Sequence, residues 1–138
     1  MVDKVVDLIE TNFGNIFDSI VVKKTFKNNI DYYHIMTNKP FNLVVSYEYN
    51  DNIWNLYATY NKNSSIEEIE LSELESLSGK HDFYKAQNKY VIKQIGFIKY
   101  ILNSRGAYEH YIKFFAQYVR ENIEYLWMLF LSKIIKFV

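Results

Sequence analysis

The residues with the clearest chemical capacity are Arg105 and His110, in the run Arg105-Gly-Ala-Tyr-Glu-His110. A guanidinium can stabilise developing negative charge, and an imidazole can move a proton. Other chemistries find less to work with. His34, His81 and His110 are far apart, and no two histidines stand four apart on one helix as in zinc hydrolases. The chain has no cysteine, which excludes disulfides and thiolate zinc sites. Gly14, Gly79, Gly96 and Gly106 are isolated, so no glycine-rich loop is available to cradle phosphate, and no serine lies in a nucleophile elbow. No metal and no cofactor is expected.

The R-x4-H spacing resembles the short motif of the HEPN ribonucleases, where an Arg and a His act on an RNA 2′-hydroxyl and its phosphate, one as electrostatic stabiliser and one as acid/base. The resemblance covers six residues. HEPN domains are all-helical, whereas residues 20–61 here read as sheet, and Arg105 stands at a helix end beside Gly106. The expected roles are therefore a terminal cap for Arg105 and a surface position for His110, with a HEPN-like ribonuclease as a remote alternative.

Charge gives a sharper feature. Sixteen basic and sixteen acidic residues cancel, which argues against a general nucleic-acid binder. The cancellation hides a segregation: Glu67, Glu68, Glu70, Glu73, Glu75 and Asp82 gather in residues 63–82 beside Lys80 alone, while residues 83–138 hold nine bases against three acids. Clustered carboxylates steer association with a basic partner and can occupy a site meant for phosphates. The bland counterpart is a solvated helix face. Thirteen tyrosines suit a recognition surface, and Tyr32, Tyr33, Tyr47, Tyr49, Tyr57 and Tyr60 could form a stacking platform for bases or sugars. Abundant Asn, Ile, Lys and Tyr also match AT-rich coding, which points to a low-GC bacterium or a mobile element.

These residues need elements to hold them. Val5/Val6, Ile9, Phe13 and Ile16/Phe17 recur every three to four residues, predicting a helix over 3–18 capped by Asp3. The period then changes to two in four runs, Ile20–Lys27, Ile30–Thr37, Asn42–Tyr49 and Ile53–Asn61. Asn-rich breaks separate them and suit hairpins. Residues 62–79 carry two S-x-x-E capping boxes at Ser65 and Ser72, which favour helix; Ile66–Leu71 as a fifth strand is the alternative. A long amphipathic helix is expected over 82–103, with Tyr84, Val91, Ile95, Ile98 and Leu102 inward and Lys85, Lys89, Lys93 and Lys99 outward. A second spans 107–137. Its polar face vanishes after Glu124, so Trp127, Met128 and Leu131 need cover, and a dimer interface is one source of it.

The expected fold is α+β in a single domain over 1–138: an N-terminal helix, a four-stranded antiparallel β-meander, and two or three C-terminal helices packed on the sheet. The first residues lack the basic and apolar regions of a secretory signal, and the longest apolar run is residues 125–131, too short to span a bilayer, so a cytoplasmic protein is expected. The composition resembles, in type only, toxin-neutralising immunity proteins and phage-encoded inhibitors. It implies non-catalytic binding of a basic protein partner through Glu67, Glu68, Glu70, Glu73, Glu75 and Asp82. A dimeric chaperone of the secretion type and a small-ligand carrier with an aromatic pocket are the alternatives.

Overall fold

The computed structural model describes residues 3–62, 64–71, 83–102 and 105–135. Helix α1 (Lys4–Phe13) starts where the sequence places it. The Asp3 carboxylate accepts from the amides of Val5 at 2.9 Å and Val6 at 3.3 Å, satisfying two donors that a helix start leaves unpaired. Val5, Ile9 and Phe13 form its buried stripe. The helix ends earlier than its hydrophobic spacing suggests, and the chain turns so that Phe17 meets the edge of Phe41, centroids 6.3 Å apart.

Strands β1 (Val21–Lys27), β2 (Ile30–Met36), β3 (Asn42–Glu48) and β4 (Ile53–Lys62) follow the predicted runs to within a residue or so. Asn28 and Asn29 both take positive φ, 55° and 64°, as the tight turn between β1 and β2 requires, and Asn52 does the same at 55° before β4. The sheet has a fifth strand, β5 (Ser65–Glu70), which corrects the four-stranded expectation. Ser65, read as a helix cap, instead pairs with Lys62, and Ile69 lies opposite Ala58. β3 occupies one edge of β4, β5 takes the other along Tyr57–Lys62, and pairing there outweighs the local helical signal. All five strands pair antiparallel with their sequence neighbours, in the order β1-β2-β3-β4-β5. The second capping box, with Glu73, Glu75 and Asp82, lies outside the described residues.

Both long helices are broken. The first divides at Gly96, whose φ of 88° suits glycine, into α2 (Phe83–Ile95) and α3 (Phe97–Leu102). After a 3-10 turn at Arg105–Ala107, the second divides at Asn122 into α4 (Tyr108–Glu121) and α5 (Ile123–Ile135). The Asn122 side-chain amide donates to the Tyr118 carbonyl at 2.8 Å, a local bond that competes with the helical ladder.

Strands β2, β3 and β4 send alternate residues to one helix-covered face. Tyr33 and Ile35 of β2, Leu43, Val45 and Tyr47 of β3, and Trp54, Leu56, Ala58 and Tyr60 of β4 are buried there. Trp54 sits at the centre, with Tyr47 at 4.9 Å and Tyr111 of α4 stacked at 6.1 Å. Helix α1 packs on α4 and β1, α2 on α4, and α5 on β4. Phe130 fastens α5, its ring 5.2 Å from Tyr60 and 5.0 Å from Phe41. Only part of the terminal apolar run is covered. Leu126 and Phe130 are buried, while Trp127, Met128 and Leu131 stay 38%, 72% and 39% exposed in the single chain. No described helix is long and apolar enough to cross a membrane.

Two predictions come from this packing. Phe130→Ala is expected to cost about 3–5 kcal/mol in urea denaturation, and Met128→Ser to stay within about 0.5 kcal/mol; equal losses would put Met128 in a packed interface. Asp3→Ala should cost about 1–2 kcal/mol at neutral pH. Burial opposes ionisation of Asp3, but the Lys24 hydrogen bond at 3.1 Å and the Val6 and Val5 amides prevail and hold its carboxyl below the usual 3.8. Its contribution is thus present above pH 3.8 and is lost as pH falls through the lowered value. A wild-type to Asp3→Ala difference that grows in acid would contradict this.

Candidate functional site

The parity that buries one side of the sheet turns the other outward. The register builds transverse rows on this outer face. Lys23, His34, Val44, Tyr57 and Glu70 stand opposite one another across all five strands, and Thr25, Tyr32, Ser46 and Asn55 form the next row. Among the described residues no helix lies over these rows, yet Val44 and Ser46 are only 5% and 3% exposed. Their shelter comes from the larger neighbours that flank them, His34 and Tyr57 beside Val44, and Tyr32 and Asn55 beside Ser46.

The result is an open concavity of about 670 Å³, lined by strand residues that include Tyr32, His34, Met36, Val44, Tyr57 and Ile66. A smaller one of about 390 Å³ adjoins it beneath the β2–β3 turn and shares Asn42, Thr59 and Ile66. His34 organises the larger one. Its Nε2 lies 2.9 Å from the Thr25 hydroxyl, and its ring stacks on Tyr32 with centroids 6.1 Å apart. Burial, and secondarily Lys23, pushes the imidazole below its ordinary 6.5, with Glu68 opposing.

The two rims of this face differ in charge. Lys23 and Lys27 lie on the β1 side, and Glu68 and Glu70 on the β5 side. The acidic cluster is therefore not one helical face. Strand alternation turns Glu67 to the opposite side, opposite Tyr60, whose hydroxyl is pushed up by burial and then by the Glu67 charge. Glu73, Glu75 and Asp82 lie outside the described residues, so the full set of six is not assembled here.

The tyrosines divide as alternation demands. Tyr33, Tyr47 and Tyr60 are buried on the inner face, and Tyr49 is half-exposed at its end, bonded through its hydroxyl to Asp31. Only Tyr32 and Tyr57 of the six reach the outer face, where both line the groove. Arg105 falls in the 3-10 turn, and His110 lies half-buried in the first turn of α4. Among the described residues no three His, Asp or Glu gather as a metal site. Trp127, with Met128 and Leu131, forms a separate patch on α5, where the Lys39 ammonium sits 3.8 Å over the Trp127 ring.

Sequence reasoning passed over His34, Val44, Met36 and Ile66 as site residues. The available signal was apolar residues in the outward phase of their strands: Val44 shares its phase with Ser46 and Glu48, and Ile66 with Glu68 and Glu70. Comparison with protein-family models, with curated proteins and with solved structures yields no match to this chain.

The His34 environment generates a titration prediction. Its midpoint, followed by NMR at Cε1–H, should lie below 6.5. Lys23→Gln should raise the midpoint and Glu68→Gln should lower it further. Because the unfolded chain binds this proton more readily, His34 makes stability fall as pH drops from 6.5 through the folded-state value, and not above 6.5. A midpoint above 6.5 would refute the geometry.

Proposed function

We propose that this chain is a non-catalytic protein-binding module of the inhibitor or immunity type, acting in the cytoplasm, which seats a basic surface of a protein partner such as a toxin on the outer face of its sheet. The observation that carries this reading is the concavity of about 670 Å³, left without a described cover across a five-stranded sheet. An apolar floor with aromatic walls has the makings of a buried interface centre, where tyrosines contribute most. Glu68 and Glu70 on one rim supply attraction for a basic surface, and Glu67 at the same edge extends the field.

A second reading is favoured by the volume, which lies within the range of small-molecule pockets. The carrier it implies would close the groove over an aromatic ligand. The groove's breadth and open side fit a protein surface better. A homodimeric, chaperone-like assembly draws its support from the exposed Trp127, Met128 and Leu131.

The test is capture of a partner from native-host extract, its identification by mass spectrometry, and measurement with the purified pair. Tyr32→Ala and Tyr57→Ala should each cost about 2 kcal/mol of binding if they are central anchors. Glu68→Gln with Glu70→Gln should slow association, and added salt should slow it further, because steering is screened beyond ~10 Å at 0.1 M. Both pairs of variants binding as wild type would remove the outer face from consideration.

A further inference from the structure

We infer that the α2–α3 corner is a docking surface for an anionic lipid bilayer. This surface is separate from the sheet face and does not depend on the function proposed for it.

The argument starts at Gly96. An unbroken helix would carry Ile98 on the inward stripe begun by Val91 and Ile95. The left-handed backbone at Gly96, φ 88°, interrupts that helix, although hydrogen bonds continue on both sides of it, from the Gly96 amide to Ile92 at 2.8 Å and from the Tyr100 amide to Gly96 at 3.0 Å. Beyond the break Phe97 is 61% and Ile98 71% exposed, although Val91, one helical stretch earlier, is fully buried. Two adjacent large apolar side chains therefore project at a corner.

The stretch of chain that carries them has one sign of charge. Residues 83–102 contain Lys85, Lys89, Lys93 and Lys99 and no acidic residue. Lys85, Lys89 and Lys93 recur every four residues on the face of α2 opposite Phe83, Gln87 and Val91, and Lys99 directly follows the apolar pair. All four lysines are exposed. The exposed apolar residues of the sheet's outer face differ, since Val21 stands on the lysine-bearing strand β1 and Ile66 on the glutamate-bearing strand β5, two rims of opposite charge on one face.

Exposed apolar tips on a stretch whose charged residues are all lysines are complementary to a negatively charged bilayer. Phe97 and Ile98 suit the boundary between headgroups and acyl chains, while lysine stems extend along the interface and their ammonium groups meet lipid phosphates. A nucleic acid would meet the lysines equally well, but an aliphatic Ile98 offers a base no stacking plane. The apolar pair decides between them.

The experiment is flotation of the full chain with two kinds of vesicle, phosphatidylcholine alone and equal parts phosphatidylcholine and phosphatidylserine. Binding is expected to the second kind and to fall about tenfold or more when Phe97→Ser and Ile98→Ser are combined. Lys93→Glu with Lys99→Glu should also abolish it, with circular dichroism unchanged in each variant. Should the double serine variant fail to fold, Ile98→Gln alone, at the more exposed position, gives the same readout. No flotation with serine-lipid vesicles overturns the proposal. So does flotation that survives both pairs of substitutions, or binding of an RNA oligonucleotide without binding of vesicles.

Discussion

The structure depends on one-sided burial of a twisted sheet. A strand has a side-chain period of two, so a strand whose even residues face a core must face its odd residues elsewhere. Here all the described helices that pack on the sheet lie on the side of Trp54 and Tyr33. Trp54 at the middle of that side, between Tyr47 and Tyr111, ties β3 and β4 to α4. The parity that it enforces also determines which residues face outward, so the inner core and the outer groove are set by the same register.

Much of this was legible in the sequence. Alternation in β3 and β4 separates inner from outer residues as the structure has them, and alternation in β2 parts Tyr32 from Tyr33, because period-two patterning survives any helix arrangement above it. Asp3 was legible as a cap because a short carboxylate before an amphipathic run has one local use. The failures have a common origin in longer-range effects. Ser65 and Glu68 carry a helical capping signal, but pairing with β4 lies outside any local window. Gly96 and Asn122 are tolerated in helical patterns, and only the packing of α3 and α5 beyond them reveals the two breaks.

The groove was less legible than the fold. Val44 on its own is an ordinary β-branched strand residue. It becomes a groove floor through His34 and Tyr57, which come from β2 and β4 and meet it only by register. The acidic segment shows the opposite case. It was prominent in the sequence because its charges are consecutive, and strand geometry then divides Glu67 from Glu68 and Glu70.

The outer strands of the sheet have a consequence for how copies of the chain coexist at high concentration. An edge strand presents unpaired backbone groups on which another chain can template. Strand β1 carries Lys23, Lys24 and Lys27 along its edge, and β5 carries Glu67, Glu68 and Glu70 along the other. Pairing β1 with β1, or β5 with β5, sets like charges side by side. The symmetric routes to aggregation are thereby disfavoured, and the route left open is head-to-tail, β1 against β5, which salt weakens. Colloidal behaviour should accordingly depend on ionic strength in a direction that net charge, which is zero, does not foretell.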